Sequence, residues 1–160
     1  MKKISGVFLA LAMVLMFAGC GKSEQEPARV YSFHGEDALL SVTNGVMVMA
    51  EEKNVFHGGD LQVAEEVGAG IVSYTTRFYF LLDGEREDFF RMVLVNAGEM
   101  LLENCSLGSV SGNGVFHKDK IQQSSFDSWK GSLFFELTTV DKAGTEQVYT
   151  LPMTITEITG

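Results

Sequence analysis

The chain has 160 residues, a formal net charge of −9 and 46% hydrophobic residues. That size allows one ordinary domain that buries its core without covalent staples, and the acidity sets its surface against nucleic-acid phosphates and anionic bilayers, which excludes a nucleic-acid role. The two cysteines, Cys20 and Cys105, form no CxxC pair, so a thiol redox function has no basis either.

The chain begins with Lys2 and Lys3, continues as an apolar run from Ile4 to Phe17 broken only by Ser5 and Gly6, and reaches Ala18-Gly19-Cys20. The run is shorter than the roughly 20 apolar residues of a membrane span and ends in small residues, the order expected of an export signal. From Leu15 to Cys20 it resembles the signal of bacterial lipoproteins, with Phe17 where that family prefers leucine. The resemblance covers these first residues alone. It implies cleavage before Cys20, lipid such as palmitate on the Cys20 thiol and amine, and residence at the cell membrane on its extracytoplasmic face. Several acyl chains, at about 0.8 kcal/mol per buried methylene, hold a protein firmly where a single chain binds only marginally. Residues 1–19 are then the signal peptide and residues 20–28 the lipidated cysteine with a polar, flexible tether closing near Pro27. Residues 29–160 form one domain. Without Lys2 and Lys3 the remainder carries ten basic against twenty-one acidic residues.

From Val30 onward, short β-rich runs alternate with turn residues at the spacing of a sandwich or barrel. Residues 38–42 and 46–50 flank Thr43-Asn44-Gly45, and an Asn-Gly pair between apolar runs predicts a hairpin. Gly58-Gly59 precedes a short run from Asp60 to Val63. The clearest strand places Val72, Tyr74, Thr76, Phe78, Phe80 and Leu82 on one face. Asp83-Gly84 predicts its turn, with Phe89 to Asn96 returning beside it. Met100 to Leu107 predicts a further strand. Gly108-Ser109-Val110-Ser111-Gly112 has valine where a nucleophile elbow has serine, and reads as a flexible turn. Lys118 to Lys130, with the lone Trp129, reads as a loop or one helical turn. Leu133, Phe135 and Leu137 alternate in one run, a turn follows at residues 141–144, and Tyr149, Leu151, Met153 and Ile155 alternate in the last. Pro152 predicts an edge position or a bulge there. The fold class is all-β, an antiparallel β-sandwich. An immunoglobulin-like arrangement is compatible with it, without the Cys–Trp–Cys pattern of true immunoglobulin domains.

Each of the three histidines follows a phenylalanine and precedes an acid, at Phe33-His34, Phe56-His57 and Phe116-His117. Converging, these corners could hold zinc or copper; unconverged, each phenylalanine plugs the core while histidine and acid sit wet in a turn. The second arrangement is the expectation, with His34 and His57 as the pair closer to meeting. Acidic pairs such as Glu51-Glu52 and Glu65-Glu66 lack the twelve-residue frame of a calcium loop. Cys105 reads as a small buried hydrophobe. Trp129 and Phe126 stay open as exposed rings for a glycan or partner chain. No catalytic motif occurs, and no catalytic, metal or cofactor residue is assigned. The expected function is a lipid-anchored binding or structural module at the bacterial cell surface, partnered by the membrane through Cys20 and by an unknown protein or glycan. A metal-binding lipoprotein using His34, His57 or His117 is the alternative, and an envelope hydrolase the third reading.

Overall fold

The computed structural model describes residues 28–50, 53–113, 115–116 and 126–158. Cys20 and His117 lie outside them. The elements in chain order are β1 (Arg29–Glu36), β2 (Leu40–Met49), β3 (Asn54–His57), β4 (Asp60–Val63), α1 (Glu65–Gly68), β5 (Ile71–Leu82), β6 (Glu85–Met100), β7 (Asn104–Ser106), β8 (Ser109–Gly112), α2 (Phe126–Trp129), β9 (Leu133–Asp141), β10 (Glu146–Pro152) and β11 (Thr154–Glu157). Two antiparallel sheets pack face to face, as the alternating strands require. One runs β11-β1-β2-β3-β8, with β4 and β7 continuing the lines of β3 and β8; the other runs β10-β9-β5-β6. Among the described residues no helix is long and apolar enough to cross a membrane.

Local chemistry sets the turns. Asp83 and Gly84 both have positive φ, at 52° and 82°, and join β5 to β6 as a two-residue hairpin whose twist matches its strands. The Asp37 carboxylate accepts hydrogen bonds from the backbone N–H groups of Leu39 and Leu40, each 2.8 Å, closing the β1–β2 turn. Asp141 does the same for Ala143 and Thr145 between β9 and β10.

The Asn44-Gly45 hairpin does not form. Strand β2 runs straight through the pair, and Asn44 takes φ 58° as part of a bulge. Phe33 pairs with Gly45 and Gly35 with Val42, so Thr43 and Asn44 together face His34. Tertiary packing decides this: the Phe33 ring lies against Gly45, where a Cβ would overlap it. The stretch expected as one strand from Met100 to Leu107 is likewise broken, with Leu102 turned into the core between β6 and β7. Residues 109–112, expected as a flexible turn, are strand β8, paired to β3.

Pro152 marks a sheet switch. Strand β10 pairs with β9 as far as Pro152↔Phe134, and the chain then joins the other sheet through His34↔Thr154. The edge strand of one sheet, β10, therefore passes directly into the edge strand of the other, β11, which explains how a residue without an N–H fits the ladder.

The core is aromatic. Phe33, Phe56, Phe78, Phe116 and Phe135 are at most 1% exposed. Phe33 stacks on Phe56 at 5.5 Å, and Phe78 meets both edge-on. At the bulge between Phe78 and Tyr79, Phe89 and Phe90 both turn inward against Phe56. Trp129, for which the sequence allows an exposed ring, is 2% exposed. The single turn of α2 plugs one end of the sandwich, setting Trp129 and Phe126 against Tyr31 at 5.1 and 5.2 Å. The irregular segment thus hides its rings because it closes the core.

Candidate functional site

Three neighbouring strands of the larger sheet are interrupted at one level. Strand β2 has its bulge at Asn44, β3 gives way to β4 across Gly58-Gly59, and β7 gives way to β8 across Leu107-Gly108. The interruptions are locked together, since Gly58 N–H donates to the Gly108 carbonyl and Leu107 N–H to the Gly59 carbonyl, both 2.9 Å. Glycine is required at Gly59, where φ is 83° and a Cβ would run into the Thr43 carbonyl. The result is a crease across the outer face of the sheet.

Beside the crease lies an open groove of about 450 Å³, lined by Thr43, Asn44, Asp60, Leu61, Gln62, Asn104, Cys105 and Ser106. Register builds its polar wall. Thr43, Asp60 and Ser106 stand opposite one another on β2, β4 and β7, and the next row is Ser41, Gln62 and Asn104. Alternation puts all six on the outer face while Val42 and Leu61, between them, are fully buried. Asn44 Nδ2 donates to Asp60 Oδ2 at 2.8 Å, fixing the carboxylate at the crease. The wall thus presents hydroxyls and carboxamides around one carboxylate, on a protein of net charge −9.

Cys105 lies in the groove floor, packed against the core but only half-buried, where the sequence predicts a fully buried residue. Its thiol shares a hydrogen bond with the Tyr74 hydroxyl. Burial pushes the Cys105 thiol up, and burial with the neighbouring thiol pushes Tyr74 to about 12. Burial thus favours the protonated thiol, and Cys105 packs against the core.

His34 and His57 occupy the same outer face as the groove but on β1 and β3, with β2 between them. They sit in strands, not turns: His34 at the bulge and exposed, His57 half-buried at the end of β3. Among the described residues no three histidine, cysteine or acidic side chains are grouped to hold a metal ion. Phe33, Phe56 and Phe116, which precede the three histidines, are all buried, and core packing accounts for the phenylalanine in the repeated pattern. Gln62 and Asn104 were not legible as site residues. Their only sequence signal is a period-two polar pattern, and the register that sets them side by side is a tertiary fact.

A second polar cluster lies on the outer face of the smaller sheet. The Glu136 carboxylate receives Arg77 Nη1 at 2.8 Å and Arg86 Nη1 at 2.6 Å, and Arg86 also holds Asp88. The Arg86 guanidinium covers the Tyr79 ring at 3.8 Å, beside the stacked Tyr79–Phe134 pair. Arg86 first, and Arg77 with it, draws the Glu136 pKa below the usual carboxylate range. These charges satisfy one another, so the cluster braces the sheet and leaves the groove as the candidate site.

Comparison with protein-family models, with curated protein sequences and with solved structures finds no match to this chain.

Proposed function

We propose that this protein is a lipid-anchored, extracytoplasmic binding module without catalytic activity, and that the groove beside the crease takes a neutral polyhydroxylated ligand of the glycan class. The observation that carries the ligand reading is the wall of hydroxyls and carboxamides, Thr43, Asn44, Gln62, Asn104 and Ser106, around Asp60. Such groups both donate and accept, as sugar hydroxyls do, and a single carboxylate supplies one strong acceptor. Glycoside hydrolysis uses a pair of carboxylates flanking the bond, and the groove lining holds one. What supports the anchor is the order of positive start, apolar run, small residues and Cys20.

The two parts are tested separately. Titration calorimetry of the full chain against soluble cello-, malto- and chito-oligosaccharides is expected to give heats with at least one series, lost in a Gln62→Ala/Asn104→Ala variant whose circular dichroism is unchanged. Absence of heat with every neutral oligosaccharide rejects the glycan reading. For the anchor, Cys20→Ser is expected to abolish incorporation of labelled palmitate and to release the chain from the membrane fraction; undiminished labelling rejects it.

A further inference from the structure

Strand β6 forms an edge of the smaller sheet. It pairs with β5 along one side, and no described strand pairs with the other. Along this edge Val93, Leu94 and Val95 are 51%, 41% and 74% exposed. Edges of that kind are templates for another strand unless blunted.

Two features define which strand fits. Arg91 stands directly across from Arg77, a like-charge pair. Arg77 is held by Glu136, and no carboxylate among the described residues pairs with Arg91. An acid opposite Arg91 on an added strand would relieve this. The second feature is the bulge. The register passes from Phe78↔Phe90 to Tyr79↔Asp88, leaving Phe89 as the extra residue. A regular strand laid along this edge would meet two residues with one. A second copy of β6, running antiparallel, meets two with two.

We infer that the outer edge of β6 pairs antiparallel with β6 of a second copy of this chain, about a two-fold axis between Phe89 and Phe90. Asp88 of each copy, half-exposed and held by Arg86 through Oδ1, then turns its Oδ2 to Arg91 of the other, Arg86 faces Val93, and Glu85 faces Leu94. Every pair matches sheet faces. Asp88, Arg91, Arg86 and Val93 belong to the solvent face, opposite Tyr79, Arg77, Leu81 and Thr75 on β5, whereas Glu85 and Leu94 stand opposite Leu82 and Tyr74 on the core side. The two ion pairs fix the register, and the aliphatic stem of Arg86 covers the exposed valine. Two copies of the four-stranded sheet become one continuous sheet, an isologous contact that closes on itself.

The test is site-directed crosslinking of the full chain. Asp88→Cys and Arg91→Cys proteins are prepared separately, mixed and oxidised. Opposed residues in an antiparallel pair have Cα atoms roughly 4.5–5.5 Å apart, within disulfide range. A crosslinked dimer above the wild-type background is expected from this mixture and none from Arg91→Cys with Val95→Cys, which face each other only if the axis falls at Val93. In sedimentation of the unmodified chain, Asp88→Arg and Arg91→Asp are each expected to weaken self-association by about tenfold, and the double variant with both changes to restore it. A crosslink confined to the Arg91→Cys/Val95→Cys mixture, no crosslink from either mixture while circular dichroism shows folded protein, or failure of the double variant to restore association overturns the proposal.

Discussion

The Phe33 ring lies against the backbone of Gly45, leaving no room for a Cβ there, and Asn44 beside it takes a φ of 58°. This contact turns an apparent hairpin into a continuous strand, and the bulge that results sets the crease beside the groove.

Gly45→Ala is expected to destabilise the domain, because the methyl group must displace a ring that is itself stacked on Phe56. Overpacking of this kind costs about 1–3 kcal/mol. Asn44→Gly, which tolerates the same φ, is expected to stay within about 0.5 kcal/mol of wild type. Urea denaturation of the two variants checks both, and a Gly45→Ala protein as stable as wild type would contradict the packing account.

The Glu136 cluster makes stability pH-dependent in a defined direction. Its carboxyl has a folded pKa below the ordinary 4.5, caused first by the Arg86 hydrogen bond. A depressed carboxyl pKa contributes stability that is fully present above the unfolded value and is lost as pH falls through the folded one. Melting temperature should therefore hold above about pH 4.5 and decline below it, with the Glu136 part of that decline absent in Glu136→Gln. At neutral pH that variant is expected to lose about 1–2 kcal/mol, because the two arginine partners are partly solvated.

Thr76 is fully buried between Leu137 and Met92, and its hydroxyl has no hydrogen-bond partner among the described residues. Valine has the same shape without the polar atom. Thr76→Val is expected to stabilise the domain by about 1 kcal/mol, since an unsatisfied buried hydroxyl is a net cost. A lower melting temperature in Thr76→Val would show that the hydroxyl is paired.

Trp129 is the single tryptophan and is 2% exposed, against Tyr31, Phe80 and Phe126. Its emission is expected at short wavelength, protected from acrylamide, and to shift red in one step with unfolding. Trp129→Ala is expected to cost about 3–5 kcal/mol by opening the end of the core. Strong acrylamide quenching of the native protein would place the ring at the surface.

The sequence by itself determined the all-β class, the Asp83-Gly84 hairpin, the turn after Asp141 and the anomaly at Pro152. These follow from short-range causes: alternation sorts side chains between two faces, positive φ selects Asp-Gly, and a missing N–H excludes an interior ladder position. Asn44-Gly45 shows the limit of such reasoning. The same local preference serves a tight turn or a bulge, and the choice lay with Phe33, a residue on the preceding strand. Trp129 and Phe126 sat in a segment without period, where burial has no local signature, and only the closing of the sandwich end decided that their rings face inward. The groove is legible to the same degree. Asp60 stood beside a glycine pair and a histidine, but Gln62 and Asn104 become neighbours only through the β4–β7 register, and register between strands so distant in the chain depends on which apolar faces must meet in the core.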